Sequence, residues 1–217
     1  VNFFGHAAVA TWSTAVPVPG VVLGAMLPDF ATMCGGRLDA ADEPSVAEGI
    51  ELHHRTDAVF HQLPVVLGLM RELDGHLARG QCARGPRRAV AHIGVELLLD
   101  GALLGEPAYR AGYLNGLEHD PALRWRDPAT APRFATLLAR LRARGVPDDL
   151  QAPPAIAIRL EHILAHRPLL APSSDDLRAI RAALIAFKPR IDAAAETVVR
   201  AMRAGLDASA AASHAGS

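Results

Sequence analysis

His53, Asp57 and His61 recur at four-residue spacing in GIELHHRTDAVFH, and His92, Glu96 and Asp100 repeat that spacing in AHIGVELLLD. On a helix, residues four apart share a face about one turn apart, so each triplet aims its imidazole and carboxylate heads toward one spot. Glu96 and Asp100 are the sharper anomaly, because they flank Leu97, Leu98 and Leu99 in otherwise apolar text. A carboxylate in such surroundings must be paired, hydrogen-bonded or metal-bound, since desolvation otherwise drives it neutral. Oxygen and imidazole donors suit a divalent ion such as manganese, iron, zinc or magnesium better than any thiol-selecting metal. Two further polar residues stand in apolar segments: His6 in NFFGHAAVATW and Asp29 at the end of GAMLPD. Alone, the first reads as a hydrogen-bonded core histidine and the second as a cap or turn. Beside the triplets they become further ligand suppliers, since metal sites in helical bundles draw on several elements. The ligand candidates are therefore His6, Asp29, His53, Asp57, His92 and Asp100. A structural alternative stays open, in which Arg55, Arg87 and Arg88 neutralise the acids without any metal.

Other chemistries are poorly supplied. Cys34 and Cys82 are the only cysteines, and neither has a histidine or cysteine at ligand spacing, which argues against a zinc knuckle, a thiol nucleophile or a disulfide-stapled scaffold. No GxGxxG or GxxxxGK[ST] run opens a helix. His162 and His166, four apart in EHILAHR, read as solvent-facing or as lying at the mouth of the site. With 22 Lys and Arg against 23 Asp and Glu, the net charge of −1 offers no global positive field for nucleic acid or an anionic membrane. The apolar runs are broken within about a dozen residues, too short to insert stably in a bilayer. The opening VNFFGHAAVATW lacks the pattern of a signal peptide, so the expected location is cytoplasmic.

These residues need elements to hold them. At 217 residues and 50% hydrophobic content, one domain with a substantial core is expected. Ala, Leu and Arg dominate from 46 to 205 and β-branched alternation is missing, which predicts an all-α, single-domain helical bundle over 1–207 with a disordered tail over 208–217. Helices are expected over 3–14, 46–60, 65–78, 89–104, 134–145 and 156–167, with a last one from Asp175 that Pro189 kinks or divides. Residues 20–30 fit a buried helix or a single strand, 31–45 a loop, and 105–132 a proline-rich irregular stretch.

The ordered set NFFGH, GAMLPDF, GIELHHRTDAVFHQLP and ELLLD resembles the acyl carrier protein phosphodiesterase family, all-helical metal hydrolases distantly related to the HD-domain phosphohydrolases. Its members show Asn-Phe-x-x-His, Gly-x-x-x-x-Asp-Phe, Gly-Ile-x-x-His-x-x-x-Asp and a later Asp-x-x-x-Asp in that order. The resemblance covers nearly the whole chain and implies metal ligation by His6, Asp29, His53, Asp57 and Asp100. Two positions depart from it: Glu96 replaces an aspartate, and Phe60 with His61 replaces Thr-Asp. An acid exchanged for imidazole lowers the negative charge at the site, so metal preference or substrate is expected to shift.

The resemblance implies an enzyme, a metal-dependent phosphodiesterase that hydrolyses the bond between phosphopantetheine and a carrier-protein serine and releases 4′-phosphopantetheine. The implied cofactor is manganese and the implied partner an acyl carrier protein, for which the basic turn with Arg79, Arg84, Arg87 and Arg88 is a docking candidate. His61 then protonates the leaving oxygen or orients water, Glu96 serves as ligand or base, and Arg55 clamps the phosphate. GAMLPD also suits the zinc-dependent phospholipase-like, membrane-associated hydrolases. Alternatives are therefore a hydrolase of another phosphoester (a small diester, phospholipid or secondary metabolite) and a non-catalytic helical binding module. A homodimer is expected by analogy alone.

Overall fold

Proline opens helices here more often than it breaks them. In the computed structural model, which describes residues 1–13 and 16–215 with side chains to 211, Pro19, Pro44, Pro64, Pro107 and Pro153 each stand at the first residue of a helix. Their fixed φ is already helical and the missing N–H has no partner to lose there. Among the described residues the chain forms α1 (Phe3–Trp12), α2 (Pro19–Met33), α3 (Pro44–Phe60), α4 (Pro64–Arg79), α5 (Arg84–Leu103), α6 (Pro107–Glu118), α7 (Thr130–Arg144), α8 (Pro153–Leu164) and α9 (Ser174–Ala215). A short 3-10 turn covers Asp148–Gln151, and β1 (Leu38–Ala41) pairs antiparallel with β2 (Leu123–Trp125). The all-helical class is as expected.

Several details differ from the sequence expectation. α1 ends at Trp12, and residue 14, the expected last residue, lies outside the described residues. Residues 20–30 resolve to helix, within α2. The expected loop over 31–45 contains β1, and the proline-rich stretch contains β2 and α6. The two strands are too short to show alternation, and their register is interrupted between Leu38 and Ala40. Pro189 leaves α9 undivided: it and Ile185, whose carbonyl loses a donor, are both exposed, so water can serve that carbonyl. α9 also carries residues 208–215, expected as disordered, as helix; residues 216 and 217 lie outside the described residues. Gly145 caps α7 at φ +70, with arginines in the last turn beside the negative end of the helix.

The chain's contacts fall into two compact units, each built from two segments. The first comprises Val1–Ala58 and Leu103–Pro147, and α1, α2 and α6 pack mutually within it. Its core gathers Phe3, Phe4, Phe30 and Tyr113, with ring centroids 5.5–6.1 Å apart in the Phe–Tyr pairs. The second comprises Val59–Ala102 and Asp148–Ser217 and packs α9 against α4 and α8. Leu69, Leu73 and Leu77 of α4 and Leu184 and Phe187 of α9 are fully or almost fully buried, so the apolar stripe of each helix faces the core.

Candidate functional site

α1 carries no charged residue, and Phe3 through Thr11 are all buried. A histidine in the middle of such a helix cannot reach solvent, and His6 is 1% exposed. α2 and α3 meet beside it at two glycines. A Cβ on Gly49 would stand 2.2 Å from the Val21 carbonyl oxygen, and one on Gly24 would stand 2.2 Å from the Val46 carbonyl oxygen, so only hydrogen at both positions lets the backbones touch. One turn beyond Gly49, the His53 ring reaches back across this contact and its Nδ1–H donates to the Ala25 carbonyl at 2.9 Å. That bond assigns the tautomer and leaves the Nε2 lone pair available as a ligand.

His6 stacks on His53 with centroids 3.8 Å apart and an interplanar angle of 22°. Asp57, one turn along α3, places Oδ1 3.3 Å from His6 Nε2 and Oδ2 3.5 Å from His53 Nε2. Asp29 joins from α2, since it, His6 and His53 offer donor atoms that all lie within 4.8 Å of one another. Four expected ligands, His6, Asp29, His53 and Asp57, thus come together in the first unit.

The protonation states match a cation's needs. Burial, opposed by Asp57, lowers His6 to about 4. Burial likewise lowers His53, against the Ala25 bond that supports its charged form. Burial works to raise Asp57, yet the contact with His6 and the two imidazoles hold its carboxyl well below the usual range. At neutral pH the group is therefore two neutral imidazoles around an anion, the form in which all of them ligate. Among the described residues neither ring nitrogen of His6 has a hydrogen-bond partner, and its 3.3 Å approach to Asp57 is attraction without hydrogen-bond alignment. A buried imidazole left this way costs stability unless something else binds it. The residues present fit a divalent ion.

A pH dependence follows for the metal-free protein. His6 has an ordinary value of 6.5 when unfolded and about 4 when folded, so between those values the unfolded chain binds more protons. Stability is then fully present above pH 6.5 and is lost as pH falls toward 4, by on the order of 3 kcal/mol. Urea unfolding with a chelator present should show this loss in the wild type and a shallower one in His6→Gln. Identical profiles for the two proteins would remove burial of a neutral His6 as the cause.

A second group lies in the other unit. His92 and Glu96 project from neighbouring turns of α5, with His92 Nε2 3.2 Å from Glu96 Oε1, and His61 Nε2 approaches the same oxygen at 3.7 Å. The two imidazoles stack at 4.9 Å and 16°. Burial works to raise the Glu96 carboxyl, but the His92 hydrogen bond and both imidazoles lower it on balance. This corrects the first sequence triplet: α3 ends at Phe60, so His61 does not continue the face of His53 and Asp57. Pro64 disfavours helix just before it, and turn bonds from Gln62 N–H to the Val59 carbonyl and from Leu63 N–H to the Phe60 carbonyl close the end. His61 and Glu96, expected in catalytic roles, and His92, expected as a ligand, form one cluster that could hold a metal ion.

Asp100, a turn further along α5, is fully buried, as the leucines around it implied. Arg55, expected to clamp a phosphate, is exposed on α3, and His162 and His166 are exposed. Sequence reasoning missed the Ala25 carbonyl and the Gly24–Gly49 contact; the glycine of the Gly-Ile motif was the available signal. An open cavity of about 530 Å³ in the first unit is walled by Ala31, Ala47 and Ile50, with Arg37, Asp39, Glu51 and His54 as its charged or titratable groups. None of the four clustered residues lines it, although their chain neighbours Pro28 and His54 do. No protein family matches this chain, and no curated protein or solved structure does so either. Among the described residues, no helix is long and apolar enough to cross a membrane.

Proposed function

We propose that the chain is a metal-dependent phosphodiester hydrolase whose ion is held by His6, Asp29, His53 and Asp57. The observation that carries this reading is the buried His6 imidazole, neutral and without a hydrogen bond among the described residues, stacked on a histidine whose tautomer a backbone carbonyl fixes. Bound there, a divalent ion would supply Lewis acidity toward a phosphoryl oxygen and toward a water nucleophile. The chain's own part is to keep two imidazoles neutral and one carboxylate ionised at working pH, with water largely excluded around His6. Mixed nitrogen and oxygen donors are compatible with manganese, which the family resemblance favours, and with iron or zinc.

The resemblance narrows the substrate to the phosphodiester that links phosphopantetheine to a carrier protein. The cavity beside Pro28 and His54 is within the range of small-ligand sites and offers Arg37 to a phosphate, with Asp39 and Glu51 as polar groups for the amides and hydroxyl of the arm. Arg79, Arg84 and Arg88 are exposed near the start of α5 for an acidic carrier, whereas Arg87 is engaged by Asp74 at 3.0 Å.

The test uses chelator-stripped protein reloaded with manganese, iron, zinc or magnesium and given either holo acyl carrier protein or bis(p-nitrophenyl) phosphate. Metal-dependent release of 4′-phosphopantetheine is the expected result. Cleavage of the small diester with holo carrier untouched moves the assignment to another phosphoester. Tight metal binding with neither substrate turned over leaves a non-catalytic binding module.

A further inference from the structure

We infer that His61, His92 and Glu96 form a metal site of their own, one that takes a borderline transition ion such as zinc, cobalt or nickel. The inference goes beyond the hydrolase reading and uses none of the four residues on which that reading rests. Ions bound tetrahedrally at about 2.0–2.2 Å hold neighbouring donor atoms roughly 3.3 Å apart. Here the two imidazole Nε2 atoms stand 3.2 and 3.7 Å from Glu96 Oε1, and one donor atom from each residue lies within 4.8 Å of the others. Small side-chain rotations would place all three on one face of a coordination sphere.

The donors select the class of ion. Two imidazoles and one carboxylate favour zinc, cobalt and nickel over magnesium, which takes oxygen donors, and over manganese, which stands lowest in the general affinity order of first-row divalent ions. Three ligands leave at least one position open to water or a small anion such as phosphate or a carboxylate.

The scaffold is prepared for this. His92 and Glu96 are four apart on α5, and Glu96 is only 12% exposed at its side chain. His61 is set by the turn between α3 and α4, with its ring edge-on to Phe60, which is fully buried. Anchoring at Phe60 limits the swing of the chain at His61, while 36% exposure of its side chain and 50% of that of His92 leave a route for the ion. The competing arrangement is a carboxylate oxygen that merely accepts from two imidazoles. Stoichiometry separates the two arrangements, because two donated protons hold no metal.

The experiment titrates the chelator-stripped full chain with zinc by calorimetry and with cobalt by visible absorption, alongside His92→Gln, Glu96→Gln, His61→Gln and His53→Gln. The wild type is expected to bind two equivalents. Each of the first three variants should weaken one equivalent by about 100-fold or more and spare the other, whereas His53→Gln should show the converse pattern. A single wild-type equivalent lost in the first three variants but kept in His53→Gln upholds this site and removes the ion from the hydrolase reading. Unchanged zinc binding in the first three variants overturns the inference, as does a single equivalent that His92→Gln and His53→Gln both abolish. Melting curves accompany each titration, and His61→Gln, outside any helix, supplies the readout if a change on α5 lowers stability.

Discussion

Asp57→Asn is expected to lower kcat/KM for metal-dependent phosphodiester cleavage by about a thousandfold or more while the protein stays folded. The carboxylate places one oxygen 3.3 Å from His6 Nε2 and the other 3.5 Å from His53 Nε2. Asparagine keeps its shape and removes its charge. A thousandfold loss is about 4 kcal/mol of transition-state stabilisation, within what a bound cation provides at a phosphoryl centre. The fold should tolerate the change, because the Asp57 side chain is 38% exposed and the amide leaves the stacked imidazoles in place. Steady-state kinetics across a metal titration, with the melting temperature alongside, checks this. Activity within a few-fold of wild type at saturating metal would mean that Asp57 is no part of the reacting centre.

That this residue could be singled out from the sequence has a physical reason. Charged and imidazole groups in apolar text stand out because desolvation penalises them, and His6, Asp29, Glu96 and Asp100 are visible on that ground, whereas His53 and Asp57 are visible by their four-residue spacing. The helical class was visible for a similar reason, since Ala, Leu and Arg fill the chain without the alternation of strands. What sequence spacing could not give was partnership between elements. Four-residue spacing grouped His61 with His53 and Asp57, yet the helix stops at Phe60 and His61 joins His92 and Glu96. Proline signals were ambiguous, because the same locked φ that ends one helix begins the next, as Pro64 does between α3 and α4. The Ala25 carbonyl left no trace in the sequence, since every residue has a carbonyl and only packing decides which of them meets a histidine.

Packing of that kind makes Gly49 as consequential as a ligand. Gly49→Ala would bring Cβ to 2.2 Å from the Val21 carbonyl oxygen, 2.7 Å from Gly24 Cα and 2.8 Å from the Ala25 nitrogen. All three are backbone atoms, so no side chain can swing aside and the two helices must part. Overpacking of this kind costs about 1–3 kcal/mol or more, which exceeds the roughly 1 kcal/mol that alanine gains over glycine in a helix. The parting also stretches the 2.9 Å bond from His53 to Ala25, one turn away, and frees the ring to take the wrong tautomer or orientation. Loss of such an orienting bond lowers metal affinity by about 10- to 100-fold. Gly68→Ala provides the contrast, since its Cβ would meet nothing within 4 Å in the middle of α4. It should therefore gain up to about 1 kcal/mol from helix propensity alone and leave metal binding unchanged. Urea midpoints and zinc affinities of the two variants decide the matter: equal, harmless effects would show that α2 and α3 tolerate separation and that the Ala25 carbonyl does not position His53.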